Sequence, residues 1–464
     1  MGLIGYGMHL SLPDYDHTSW LAWRWIGLFC LLCLFLFQKA NPFDFMKLKG
    51  FFWLILALMK IYTLLALRDV LTQSFFLVCY CLLFAIYHFQ RASHDNQKFE
   101  YHHFHALRSS VLTLTASVYF LAALHKINQG FLLTDQSCAL HGVGVVVDYF
   151  SMPEAINFFA KDLMIDPIKV VALVVVLWEL ALAYFVLRQH LIAVMIAVPF
   201  HLPLTLTIAP AFGLVMFSGL AFCFKTEQLI FKKEQEKTPE KTLEKPYKPL
   251  LYFVLIASTF IFVCSRKWPD LLAYLKVCIY LSAMFLAFYS LKTPQVYASH
   301  TRIDLKSKSQ IIPIFFLLHG LIFPYLGIEM QHSGAMLSNL RIDPPCHNSL
   351  IFPKLAVDPY FYLDEVRFAQ IQTGEPAQRA RIMQNTLWNW TAFHTMRTNW
   401  CGSDLEPIFF RGHYQGQNFE IQNLCEMGAL EHLGSQLKIG KWELPQWQRF
   451  QKNLTKNCQE ACVH

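Results

Sequence analysis

The chain has 464 residues, 55% of them hydrophobic and only 15% charged, with a mean hydropathy of +0.34. Soluble domains carry about 25% charged residues, so this composition excludes an ordinary soluble enzyme and indicates a chain built in lipid. The net charge of +7 sits mostly in loops between apolar runs, which speaks for membrane threading and against nucleic acid as a partner.

Met1 to Ser19 has no basic segment ahead of the first apolar run, so that run is expected to insert uncleaved. Apolar stretches of spanning length follow at Trp20 to Phe37, Gly50 to Leu67, Val70 to Phe89, Ser110 to Ile127 and Pro167 to Leu187. Two more are expected between His190 and Phe224, where Pro199, Pro203 and Pro210 complicate the division. Pro249 to Cys264, Leu271 to Leu291 and Gln310 to Gly327 bring the total to about ten.

Basic residues sort these loops into two sets. Lys39, Lys47 and Lys49, then Arg91, Lys98 and Arg108, then Arg188, then the run from Lys225 to Lys248, then Lys292, Arg302, Lys306 and Lys308 fall in alternate loops. By the positive-inside rule that side is cytoplasmic, and both termini lie outside. The expected fold is an all-α polytopic membrane protein of about ten transmembrane helices with a small α+β exterior C-terminal domain. Its parts are a first membrane block at 1–224, a charged cytoplasmic linker at 225–248, a second block at 249–327 and the exterior domain at 328–464.

Two outside segments are long, 128–166 and the tail. Gly142 to Phe150 is expected to be re-entrant or interfacial. In the tail, Ile382, Leu387, Trp390 and Phe393 have helical spacing and predict an amphipathic helix over Pro376 to Trp400. Ile408 to Leu424, broken by Gly412 and Gly416, predicts a hairpin.

Six cysteines fall outside the membrane in this threading: Cys138, Cys346, Cys401, Cys425, Cys458 and Cys462. An even set in an oxidising compartment predicts disulfides, with the pairing open. No metal site is expected, because Cys346-His347 lacks a second pair at ligand spacing. Asn389-Trp390-Thr391 and Asn453-Leu454-Thr455 are sequons on the outer side.

The feature that lipid-facing sequence does not explain is the pair His125-Lys126 at the outer end of an apolar helix. A lysine there is either an anchor whose ammonium reaches the headgroups or an amine enclosed in the bundle, where desolvation favours the neutral, basic form. Arg24, Glu179 and His201 are further ionisable residues at membrane depth, where such groups indicate function or a buried partner. At 1.5 Å per residue, His201 lies about 16 Å above the cytoplasmic start of its span, in reach of the outer half, and Glu179 about 18 Å below the outer start of its own.

The segment Tyr119-Phe120-Leu121-Ala122-Ala123-Leu124-His125-Lys126-Ile127-Asn128 resembles the Tyr-Phe-x-Ala-Gly-x-x-Lys-Leu-Asp/Asn signature of vitamin K-dependent γ-carboxylase and its bacterial relatives, the HTTM (horizontally transferred transmembrane) proteins. Trp23-Arg24-Trp25-Ile26-Gly27, Pro199-Phe200-His201, Met216-Phe217-Ser218, and Met336 to Arg341 with His347-Asn348 and Pro353 resemble further segments of that family in the same order. The resemblance spans roughly Trp20 to Pro353. It implies that Lys126 is the base that takes a proton from a reduced quinone of the vitamin K or menaquinol type. O2 and CO2 would then be co-substrates, and a peptide or protein the acceptor. His125 and His201 would assist as hydrogen-bond donors, and Trp23, Arg24, Glu179 and Asn128 would line the substrate. The implied setting is a bacterial inner membrane. The rival reading is a non-catalytic membrane module that keeps this scaffold to bind quinone, lipid or a partner protein.

Overall fold

The structure is a computed structural model. It describes residues 42–65, 74–92, 97–135, 137–149, 167–188, 192–207, 216, 219–223, 307–326, 338–354, 358, 360–368, 384, 387–402, 406–440 and 458. The described chain is mostly helical, with one small sheet. Helices α1 (Pro42–Leu65), α2 (Ser74–Ala92), α3 (Gln97–His125) and α6 (Pro167–Leu187) coincide with four expected spans. Among the described residues, Phe75–Ala92, His103–His125 and Val170–Leu187 are long and apolar enough to cross a membrane.

Short α4 (Gln129–Leu132) follows α3, and the expected re-entrant piece is a regular helix, α5 (Cys138–Tyr149). The described residues of the region 190–224 include α7 (Ile192–Thr207), which takes both Pro199 and Pro203, helical residues at Met216, Gly219 and Leu220, and a 3₁₀ turn at Ala221–Cys223. The last expected span is the shorter α8 (Ile311–Ile322). The runs Trp20 to Phe37, Pro249 to Cys264 and Leu271 to Leu291 lie outside the described residues.

The chain forms two compact units. The first holds α1, α2, the connection 124–138 and the chain from Phe316 onward; the second holds α3 up to Ala123 and the segment from Ala139 to Phe315.

In the first unit α1 and α2 pack through aromatic rings, Trp53 stacked on Phe84 at 5.0 Å and Phe51 edge-on to Phe89 at 5.1 Å. Phe75 and Phe76 of α2 meet Phe316 of α8, each at 5.7 Å. Phe51, Ile55 and Leu58 face outward from α1, an apolar surface that suits lipid. In the second unit α6 shows the same division, with Ala172, Val176 and Leu182 buried and Val170, Leu173, Val174, Leu177 and Tyr184 exposed.

The tail of the first unit contains a four-stranded antiparallel sheet in the order β2 (Leu387–Trp388), β1 (Phe361–Phe368), β3 (Ile408–Tyr414) and β4 (Gln417–Ile421). In β1 an irregularity between Leu363 and Glu365 shifts the two-residue alternation by one. Phe361, Leu363 and Val366 therefore all face the core, where strict alternation would have turned Glu365 inward. Trp390, Phe393 and Met396 of α9 (Trp390–Trp400) and Leu430 and Leu433 of α10 (Ala429–Gln436) belong to the same core, with Phe361, Phe393 and Phe410 fully enclosed.

The expected continuous helix over Pro376 to Trp400 is interrupted: Leu387 and Trp388 pair with Tyr362 and Phe361 as a strand, and among the described residues that follow the chain is helical from Trp390 to Trp400. Buried on both faces, Leu387 and Trp388 satisfy a strand better than an amphipathic stripe. The hairpin stands. Gln415 (φ 49°) and Gly416 (φ 79°) form its two-residue turn, the left-handed pair that matches strand twist.

Gly412 is not a break but a point of close approach within β3, since a Cβ there would overlap the Tyr362 carbonyl oxygen. Gly412→Ala is expected to destabilise the protein by about 2–3 kcal/mol, read as a lower denaturation midpoint of the full chain. An unchanged midpoint would show that β1 and β3 can part without loss.

Asn389 is buried (1% exposed), so the first sequon is closed in the folded chain. Cys401 is joined to Cys425 and Cys346 to Cys458, and Cys138 is also disulfide-bonded, while Cys462 lies outside the described residues. Near the start of β1, Asp358 accepts hydrogen bonds from the Tyr360 N–H (3.1 Å) and the Tyr362 hydroxyl (2.6 Å). Burial pushes its carboxyl above the ordinary carboxylate range against the pull of those two bonds.

Candidate functional site around Lys126

Helix α3 stops at His125 because the chain turns at Lys126 and becomes extended at Asn128 (φ −144°, ψ 162°). The Asn128 side chain then does two jobs. Its oxygen accepts from the Phe131 N–H at 2.9 Å and caps α4. Its amide donates to the His125 carbonyl at 2.7 Å, closing the end of α3, and to the Ser338 carbonyl at 2.6 Å. Asn128 is completely buried.

That last bond starts a seam between the 127–138 connection and a strap of residues 338–350. The Gln129 N–H donates to the Asn348 carbonyl (2.9 Å), the Leu350 N–H donates to the Ile127 carbonyl (3.2 Å), and Asn128 forms an antiparallel bridge with Ser349. Asn348 folds the strap on itself, accepting from the Arg341 N–H at 2.9 Å and donating to the Asn339 carbonyl at 2.7 Å. Asn339 sits at φ 54°, and its side-chain oxygen accepts from the Cys138 N–H at 2.7 Å. Gly130 is required against the seam, since a Cβ would come within 2.8 Å of the Asn348 amide nitrogen.

Arg341 grips Asp343 through two bonds of 2.7 and 2.8 Å, with both side chains buried. Cys346, in the middle of the strap, is pinned to Cys458.

Lys126 is held inside this seam, 5% exposed, with its Nζ 5.8 Å from the centroid of the Phe131 ring. His125 is fully buried, and its Nε2–H donates to the Gly320 carbonyl of α8 at 3.0 Å. With Nε2 committed as donor, the neutral imidazole has an acceptor at Nδ1 and no second N–H to offer. Tyr325, in the turn after α8, lies 5.8 Å from the His125 ring and flat against Phe352, at an interplanar angle of 21°. The Tyr325 hydroxyl and His347 Nε2 are buried polar atoms with no hydrogen-bond partner among the described residues.

In the second unit His201 of α7 and Tyr119 of α3 share a hydrogen bond of 2.7 Å between Nε2 and the phenol oxygen. Both are nearly inaccessible, and Glu179 of α6 is buried as well. The Trp178 indole N–H, donated to the Ile196 carbonyl at 2.9 Å, ties α6 to α7. Toward the start of α3 a polar belt joins Ser110 to Ser309 (2.8 Å), Gln310 to Ser109 (2.9 Å) and the Arg108 guanidinium to the Phe222 carbonyl (2.9 Å).

Of the residues singled out by sequence, His125, Lys126 and Asn128 thus come together in the first unit, while His201 and Glu179 belong to the second. Trp23 and Arg24 lie outside the described residues. Sequence reasoning passed over Tyr119, Asp343, Phe352 and Tyr325 as partners. An Arg and an Asp two residues apart, flanking Ile342, were the available signal for Asp343. Cys401, Glu406 and Cys425 approach one another closely enough to suggest a metal site, but the two cysteines are a disulfide and have no thiolate to give.

The described chain is a mainly helical protein with apolar helices of membrane-spanning length and a small disulfide-bonded α+β tail. Comparison with models of known protein families, with curated proteins and with solved structures finds no match.

Proposed function

We propose that this chain is an integral membrane protein of about ten spans, of the HTTM and vitamin K-dependent γ-carboxylase type, in which Lys126 is the base of a quinol-dependent reaction. In this reading both termini lie outside the cytoplasm, in a bacterial inner membrane. The observation that carries the proposal is the burial of Lys126 at the end of an apolar helix under a strap that bonds to Ile127, Asn128 and Gln129. An anchoring lysine would extend to headgroup water instead. Disulfides in the tail agree with an exterior, oxidising location for it.

The roles of the residues follow from what they can exchange. The Lys126 amine accepts the proton of a quinol hydroxyl, and the Phe131 ring face stabilises the ammonium so formed. His125, with its Nε2 on Gly320, fixes the end of α3 and so positions Lys126. This is a narrower role than the hydrogen-bond donor expected from sequence. Asn128 holds the backbone at both sides of the lysine. A reduced naphthoquinone bound there supplies the electrons for O2 and the strong base that removes a substrate proton before CO2 adds.

The test is turnover. The purified full chain, in detergent or nanodiscs with 2-methyl-1,4-naphthoquinol and O2, is expected to form quinone epoxide. Lys126→Ala is expected to lower the rate by about a hundredfold or more without unfolding the protein. Undiminished turnover in Lys126→Ala removes the proposal. Absence of epoxide from the wild-type chain with any quinol favours the non-catalytic binding module.

A further inference from the structure

The Tyr325 side chain is clamped on several sides. Phe352 covers one face of its ring, His125 approaches at 5.8 Å, and the buried Leu340 and Ile342 of the strap pack against it. The clamp fixes the direction of the hydroxyl. Yet the phenol oxygen is buried and has no hydrogen-bond partner among the described residues.

Folded proteins rarely bury a hydroxyl in this way without use, because the lost hydration is not recovered. Where such a group persists in a clamped side chain, a bound molecule is the natural partner. The nearby polar chemistry narrows what that molecule is. His125 has its Nε2 on Gly320, Asn128 is fully engaged in three bonds, and Arg341 is paired with Asp343. The other neighbours of the Tyr325 ring are aromatic and aliphatic, namely Phe352, Leu340 and Ile342. A neutral donor in an apolar, aromatic setting suits a flat ring bearing an oxygen acceptor in its plane, and does not suit a sugar.

We infer that Tyr325 is a substrate-binding residue of the Lys126 site, its O–H donating to a ring oxygen of a bound quinone or quinol. The inference rests on the quinol reading and adds to it the group that orients the ring. His125, whose ring lies 5.8 Å from that of Tyr325, directly precedes Lys126 in the chain. A resident water is the rival occupant.

Tyr325→Phe removes the hydroxyl and keeps the ring, and so separates these cases. Binding of 2-methyl-1,4-naphthoquinone to the full chain in nanodiscs is measured by titration calorimetry, alongside the thermal midpoint without ligand. The expected result is a dissociation constant raised about five- to tenfold, the worth of one neutral hydrogen bond, with an apo midpoint unchanged or higher. An unchanged dissociation constant overturns the inference and leaves the quinol reading standing, since the wild-type chain still binds. A lowered apo midpoint also overturns it, because the hydroxyl then has a structural partner. If the wild-type chain binds no quinone at all, the quinol reading falls and this inference with it.

Discussion

Arg341→Ala is expected to destabilise the protein by about 3–5 kcal/mol, because it leaves the Asp343 carboxylate buried without its partner. Both side chains are almost wholly enclosed, and two parallel bonds join them. The loss should appear as a much lower thermal midpoint of the full chain in detergent. The double replacement Arg341→Met, Asp343→Leu is expected to recover most of it, since removing both charges also removes their desolvation cost. A single variant as stable as the wild type would mean that the strap around the pair is open to water.

Asn128→Ala is the second large effect. Three buried groups, the Phe131 N–H and the carbonyls of His125 and Ser338, lose their partner at once. At about 1–3 kcal/mol for each orphaned group, and with some relaxation, the loss is expected to reach about 3–5 kcal/mol. It has a local signature as well. The strap is held to the lysine loop partly through Ser338, so modification of Lys126 by an amine reagent should quicken in Asn128→Ala. A stable variant with Lys126 still protected would show that the two backbone bonds of Gln129 and Leu350 hold the seam alone.

These two residues show how far the sequence could be read. Asn128 stood out by its place after an apolar helix, and the same few residues drew attention to Lys126. What the sequence could not reveal was the partner, because a strap more than 200 residues away in the chain supplies the Ser338 carbonyl and the Asn348 backbone. Lysine burial likewise has no local signal, since an anchoring lysine and an enclosed one end apolar helices in the same way.

In the tail, Gln415-Gly416 was legible as a turn because its φ values demand such residues. Leu387 misled because its spacing from Trp390 and Phe393 suits a helix, while pairing with Tyr362 on β1 makes it a strand. Gly412 looked like a break for a similar reason. Its role, to let the Tyr362 carbonyl approach, belongs to the neighbouring strand and not to its own. Cysteine number predicted disulfides but not pairing, and the link from Cys346 to Cys458 crosses 112 residues.

The central claim is that the Lys126 amine is enclosed and meets the quinol. Footprinting tests it most directly. The full chain is treated with an amine-reactive reagent with and without 2-methyl-1,4-naphthoquinol, and modification of Lys126 is followed by mass spectrometry against that of Lys438, which is exposed on the tail. Lys126 should react slowly and more slowly still with the quinol, while Lys438 is indifferent to it. A Lys126 that reacts as fast as Lys438, or at the same rate whether or not the quinol is present, would contradict the account.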